Sequence, residues 1–161
     1  VLIEAHKRFY PFDFCPGFWR ALLLWHKDKR VFSIDRVKKE IDEGRDELTA
    51  WANNTAPQSF FKKTADKAVI DSFREMVEWV YNEPQYTAAA KAEFANEADG
   101  WVVAYGKENG LAVVTQEVHD PDIRKKIPIP NLCEQFEVDY MNTFEMLRDL
   151  GVKLVLGTQG K

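Results

Sequence analysis

The chain has 161 residues, 45% of them hydrophobic and 30% charged, with a formal net charge of −4. That length suits a single domain, residues 1–161, able to bury a full core without staples. The acidic balance excludes a protein that grips nucleic acid over a broadly basic surface, although local Lys/Arg patches beside clustered carboxylates remain compatible with a nuclease. No apolar run reaches the ~20 residues of a membrane-spanning helix, so no membrane partner is expected. Cys15 and Cys133 stand in no metal-type spacing and are read as reduced thiols of a cytoplasmic protein. The N-terminus has no signal-peptide layout. It begins without Met inside an apolar run, and the natural protein is expected to extend further upstream.

Residues 1–7 read as the end of a strand or the first turn of a helix, and residues 9–17, aromatic and proline-bearing, as an ordered loop. Phe18, Leu22 and Trp25 recur at helical spacing. Residues 31–34 form a short β-prone run, and Asp35 after it suits an N-cap. Val37, Ile41, Leu48 and Trp51 mark helical faces with a break near Gly44. Residues 53–59 read as a turn. Val69, Phe73, Met76, Val77 and Val80 give an amphipathic helix within residues 64–83, ended by Pro84.

Residues 87–94 are alanine-rich and helix-prone. A further helix begins at Asn96 or Glu97, carries Asp99 and stops with Gly110 at its C′ position. Residues 111–115 form a continuous apolar strand of the kind covered on both faces. Residues 117–131 read as a loop, 136–138 as a short strand, 142–150 as a helix stopped by Gly151, and 152–156 as a closing strand. Strands alternating with helices imply βαβ units. The expected fold is α/β: a three-layer α/β/α sandwich with a mainly parallel sheet.

In such a sheet the reactive crevice lies beyond the carboxyl ends of the strands. Glu40 follows the first β-prone run by a helical turn, Asp99 begins the helix before the second, and Glu117 follows that strand. Three carboxylates at one sheet edge repel one another, and a hard divalent cation relieves the repulsion. Arg124, Lys125 and Lys126 follow Glu117 closely and are candidates for phosphate contact. His119 is read as a loop histidine at the site rim. The tryptophans are read as core, with Trp51, beside an Asn-bearing loop, the best candidate for base stacking. There is no nucleophile elbow and no phosphate-cradling glycine loop.

Four segments carry a resemblance: VLIEA at residues 1–5, SIDRVKKE ending at Glu40, DGWVVAYG from Asp99, and VVTQE ending at Glu117. In this order they resemble PIN-domain proteins of the VapC-like toxin ribonuclease type. The resemblance implies a PIN-like fold with Glu40, Asp99 and Glu117 as metal-site acids and Thr115 as the polar residue beside them. It implies a catalytic Mg²⁺ or Mn²⁺, an RNA substrate cut at phosphodiester bonds, an antitoxin protein partner and a homodimer. The family's opening signature carries an aspartate at the end of a central first strand; this chain starts after that position, and Glu117 stands where an aspartate is usual. A non-catalytic PIN-like RNA- or protein-binding module is the alternative, with a metal-free interaction module a third.

Overall fold

The computed structural model describes residues 1–155. Leu2–Glu4 forms α1, which widens into a π-helical turn at Ala5–Phe9. Pro16–Lys27 is α2, two residues longer at its start than the aromatic spacing predicts, because Pro16 takes a first-turn position where its missing N–H costs nothing. Ser33–Ile34 is β1 and Asp35–Gly44 is α3, closed by Arg45 at φ 52°. Glu47–Asn54 is α4, opened by a capping box between Asp46 and Thr49. Phe61–Lys62 is β2.

Lys67–Asn82 is α5, Ala88–Phe94 is α6 and Asp99–Asn109 is α7. Val113–Val114 is β3, Ile129–Phe136 is α8, Tyr140–Met141 is β4 and Thr143–Asp149 is α9. Thus the chain is mixed helix and strand, and no helix among the described residues is long and apolar enough to cross a membrane.

Several boundaries differ from the sequence reading. Asp35 is the first residue of α3 and not its cap; its carboxylate instead accepts from the Thr64 N–H at 3.2 Å and the Thr64 hydroxyl at 2.8 Å, pinning α3 to the chain beyond β2. The strand expected at residues 136–138 lies at β4, because α8 runs through Phe136 and turns out through Glu137 at φ 55°. Residues 152–155 form no strand, and the rest of that expected strand, Leu156, lies outside the described residues. Trp51 is buried, packed edge-on against Trp19 and Phe60, and offers no stacking face to a base.

The strands pair in parallel, as expected, but among the described residues they form two separate two-stranded ribbons and not one sheet. Ser33 and Ile34 register with Phe61 and Lys62, and Val113 and Val114 with Tyr140 and Met141.

The core divides into two clusters. One gathers Phe18, Trp19, Leu22, Trp51 and Phe60 with Met146 and Leu150. The other gathers Val69, Met76, Val80, Val103, Ala104 and Leu132. β3 stands between them: Val113 packs into the second cluster and Val114 against the first. β4 repeats this, with Tyr140 on one side and Met141 on the other. Side chains of a strand alternate faces, so this ribbon carries apolar residues on both, as the unbroken run in the sequence requires.

Candidate functional site

α7 carries Asp99 and is set by close approach. A Cβ on Gly100 would lie 2.6 Å from Phe94 and 2.8 Å from Phe73, so glycine lets the start of α7 press against α5 and α6. At the other end Gly110, at φ 61°, ends the helix. The N–H of Leu111 returns to the Gly106 carbonyl at 3.0 Å, which turns the chain directly into β3. Helix and strand are thereby held in a fixed relation.

Glu40, at the middle of α3, reaches across to this helix start. Its Oε1 accepts the Ala98 N–H at 2.9 Å, supplying an acceptor to a donor the helix leaves unpaired. Arg36, one turn earlier on α3, lies 4.3 Å above the Trp101 ring and so ties the same two helices. Glu40 and Asp99 line one cavity.

Glu117 follows β3 by a tight turn: its N–H is accepted by the Thr115 hydroxyl at 3.1 Å. Thr115 itself is buried and extends the ladder, its N–H going to the Met141 carbonyl at 3.0 Å. The Glu117 carboxylate accepts the Ile129 N–H at 2.8 Å, at the start of α8, and forms an ion pair with Lys126. Glu117, His119 and Lys126 line a second, open hollow beside the first.

Electrostatics joins the two. Asp99 is half-buried and its pKa is pushed up to about 6, by burial first, then by the charge of Glu117, with Glu40 adding to it; Lys126 opposes. Glu97 is also raised, by burial and then by Asp99. Burial pulls Lys126 down, but its hydrogen bond to Glu117 and the charges of Glu117, Asp99 and Glu97 outweigh that and hold it above its ordinary value. Sequence reasoning passed over Glu97 as a site residue; it lies two residues before Asp99, and only the fold shows that the two carboxylates act on each other.

The sequence-predicted acids therefore come into one another's field, but not onto one point. No group of three or more His, Cys, Asp or Glu side chains among the described residues is arranged to hold a metal ion. The reason is that Glu40 is turned to Ala98 and Glu117 to Ile129 and Lys126. The donor chemistry fits a hard divalent cation, since the groups in question are carboxylates with a hydroxyl beside them. Arg124 and Lys125 are exposed on the loop that leads from Glu117 to α8. That loop is anchored: Gln85 donates to the Pro121 and Ile123 carbonyls at 2.8 and 2.7 Å, and Asn131 donates to the Asp120 carbonyl at 2.7 Å.

Residues 1–154 match the family described as Domain of unknown function (DUF4411). The chain belongs to the DUF4411 family. Neither a curated protein nor a solved structure matches it. For this DUF4411 chain the local chemistry of Glu40, Asp99 and Glu117 is the guide to function.

Proposed function

We propose that the chain is a metal-dependent endoribonuclease of PIN-like type, the toxin half of a toxin–antitoxin pair. On this reading the two parallel ribbons are parts of a three-layer α/β/α sandwich. The observation that carries it is that Glu117 and Glu40 both act on the half-buried Asp99 as like charges, Glu117 the more strongly.

Glu40, Asp99 and Glu117 would hold Mg²⁺ or Mn²⁺, with Glu117 giving up Lys126 to do so. The cation would supply positive charge against the scissile phosphate and a more acidic water. Thr115 fixes the turn that presents Glu117. Arg124, Lys125 and the released Lys126 meet phosphates of single-stranded RNA, positioning it without reading its bases. The partner protein and a homodimer, like the cytoplasmic location, follow from the PIN-like reading and belong to this proposal.

The test is cleavage of single-stranded RNA with Mg²⁺ or Mn²⁺. The expected outcome is cutting that stops with EDTA and is abolished by Asp99→Asn in a protein that stays folded by circular dichroism. Equal cleavage by the variant, or cleavage indifferent to EDTA, overturns the reading. One observation favours the second reading, a non-catalytic RNA- or protein-binding module: Glu40 and Glu117 already serve as acceptors at the starts of α7 and α8, which gives both acids a structural role. Absence of Mn²⁺ binding by calorimetry supports that alternative.

A further inference from the structure

Arg36 is a charge held in place without a counter-ion. It is exposed on α3. Its Nε donates to the Thr64 hydroxyl oxygen at 3.2 Å, and that hydroxyl donates to Asp35 at 2.8 Å. Thr64 is fully buried. Asp35 therefore sets the direction of the hydroxyl, which leaves a lone pair aimed at Arg36. The guanidinium carbon lies 4.3 Å from the centre of the Trp101 ring. Trp101 is stacked in turn on Phe73, with centroids 3.9 Å apart, so its ring is braced from behind. One edge and one face of the guanidinium are thus engaged. Its two terminal nitrogens make no hydrogen bond and no ion pair among the described residues.

The ion pair that Arg36 does not make is informative. Glu40 stands four residues on, at the helix spacing of roughly 5–6 Å between Cβ atoms where opposite charges ordinarily meet. Glu40 instead accepts from the Ala98 N–H, while Arg36 goes to Thr64 and Trp101. Two further carboxylates of this region are likewise committed: Asp35 to Thr64, and Asp66 to the Ala68 N–H at the start of α5. Two more cations lie close by. Lys39 is exposed three residues on along α3. Lys62, two residues before Thr64, holds its Nζ 4.6 Å from the Phe32 ring. Neither forms an ion pair among the described residues.

A guanidinium with its fork open suits an anion that takes two parallel N–H donors, and a plane already stacked loses little freedom when the anion arrives. A carboxylate and a phosphodiester both have that shape. Position favours the phosphodiester. Arg36 lies one helical turn from Glu40, an acid that the nuclease reading sets beside the scissile phosphate. Arg124, Lys125 and Lys126 approach the same acids from the Glu117 side.

We propose that Arg36 binds a phosphate of single-stranded RNA next to the scissile one, with Lys62 as its companion contact. The strand then crosses the acids between this pair and the loop of Arg124, Lys125 and Lys126. The contact goes to the backbone and reads no base. The proposal takes its substrate class from the nuclease reading.

The test is binding of a short labelled single-stranded RNA, followed by fluorescence anisotropy in EDTA over a series of potassium chloride concentrations, so that binding is read apart from cutting. Arg36→Gln and Lys62→Gln are each expected to weaken binding several-fold at low salt. Each is also expected to reduce the slope of log K against log salt by about 0.7, the share of one phosphate contact on a single strand. Arg36→Lys keeps the charge but loses the fork and the bond to Thr64, and is expected to keep the slope while recovering part of the affinity. Arg20→Gln removes a charge from the exposed side of α2 and is expected to change neither. An equal loss in Arg20→Gln overturns the proposal, because net charge alone would then explain it. Arg36 also ties α3 to α7, so the thermal midpoint is measured on each variant. A lowered midpoint with parental affinity and slope in Arg36→Gln overturns the proposal and leaves the arginine a structural tie. Lys62→Gln and Arg36→Lys decide the matter if Arg36→Gln does not fold: parental affinity in both overturns it. RNA cutting by the parent together with unchanged binding in the variants removes this proposal alone. Weakened binding in variants of a parent that binds RNA and does not cut it removes the nuclease reading alone.

Discussion

The two core clusters both pack aromatic rings, but the first relies on large fully buried rings and the second also on close approach at glycine. Around α2 and α4 the space is filled by rings: Tyr10 stacks on Phe18 with centroids 4.1 Å apart, and Trp19, Trp51 and Phe60 meet edge to face. Trp19 is further fixed by its indole N–H on the Tyr10 carbonyl at 2.8 Å. Around α5 and α7 close approach matters more: Gly100 admits the Phe73 and Phe94 rings, Gly106 admits Val113 of β3, and Met76, Val80, Val103 and Leu132 fill between. The first cluster is therefore sensitive to loss of volume and the second to its addition. The acids lie at the seam, on α3, α7 and the segment after β3, where neither kind of packing covers them fully.

Phe18→Ala tests the ring-filled side and carries the largest effect. Phe18 is fully buried, and its truncation is expected to cost about 3–5 kcal/mol, measured by urea unfolding. A loss below about 1 kcal/mol would mean that the aromatic cluster collapses around the gap and is not the rigid half.

The seam comes next. Asp99 carries a folded-state pKa of about 6 against an ordinary 3.8. Its contribution to stability is fully present below pH 3.8, is lost as the pH rises to about 6, and stays lost above. That loss amounts to at most about 3 kcal/mol, so Asp99→Asn is expected to raise the unfolding free energy by up to that amount at pH 7.5 and to change it little at pH 3.5. A variant no more stable than the parent at pH 7.5 would show that the charges of Lys126 and its neighbours already satisfy the carboxylate.

Gly100→Ala probes the close-packed side. The added methyl meets ring edges of Phe94 and Phe73, and the expected cost is about 1–3 kcal/mol. Methyl relaxation or carboxyl chemical shifts would also register the displacement of Asp99, its immediate neighbour. A neutral result would show that the two rings give way and that the α5–α7 contact is looser than its geometry.

Legibility followed the reach of each interaction. α5 was plain from its apolar period and from Pro84, α9 from Asn142 and Gly151, and the end of α7 from Gly110, all of them signals carried within one segment. Asp35 was misread because its side chain answers a hydrogen bond from Thr64, twenty-nine positions on. Trp51, singled out among tryptophans read as core as the best candidate for base stacking, is buried like Trp19, because nothing local tells a buried ring from an exposed one. Glu40, Asp99 and Glu117 were named from their places after or beside β-prone runs, and the fold brings them within one field. Their partners, the Ala98 and Ile129 N–H groups and Lys126, were not legible, since which donor a carboxylate meets depends on how helices end against one another.

The sequence by itself determined α5, α7 and α9, where Pro84, Gly110 and Gly151 stop them, and that β3 is apolar on both faces, because these depend on side-chain period and on backbone freedom at single residues. Only the tertiary structure decided that, among the described residues, the strands pair as two ribbons, and that Glu40 and Glu117 serve as acceptors at helix starts in the field of Asp99. Those outcomes rest on contacts between segments far apart in the chain, and on burial, which changes what a carboxylate's charge costs.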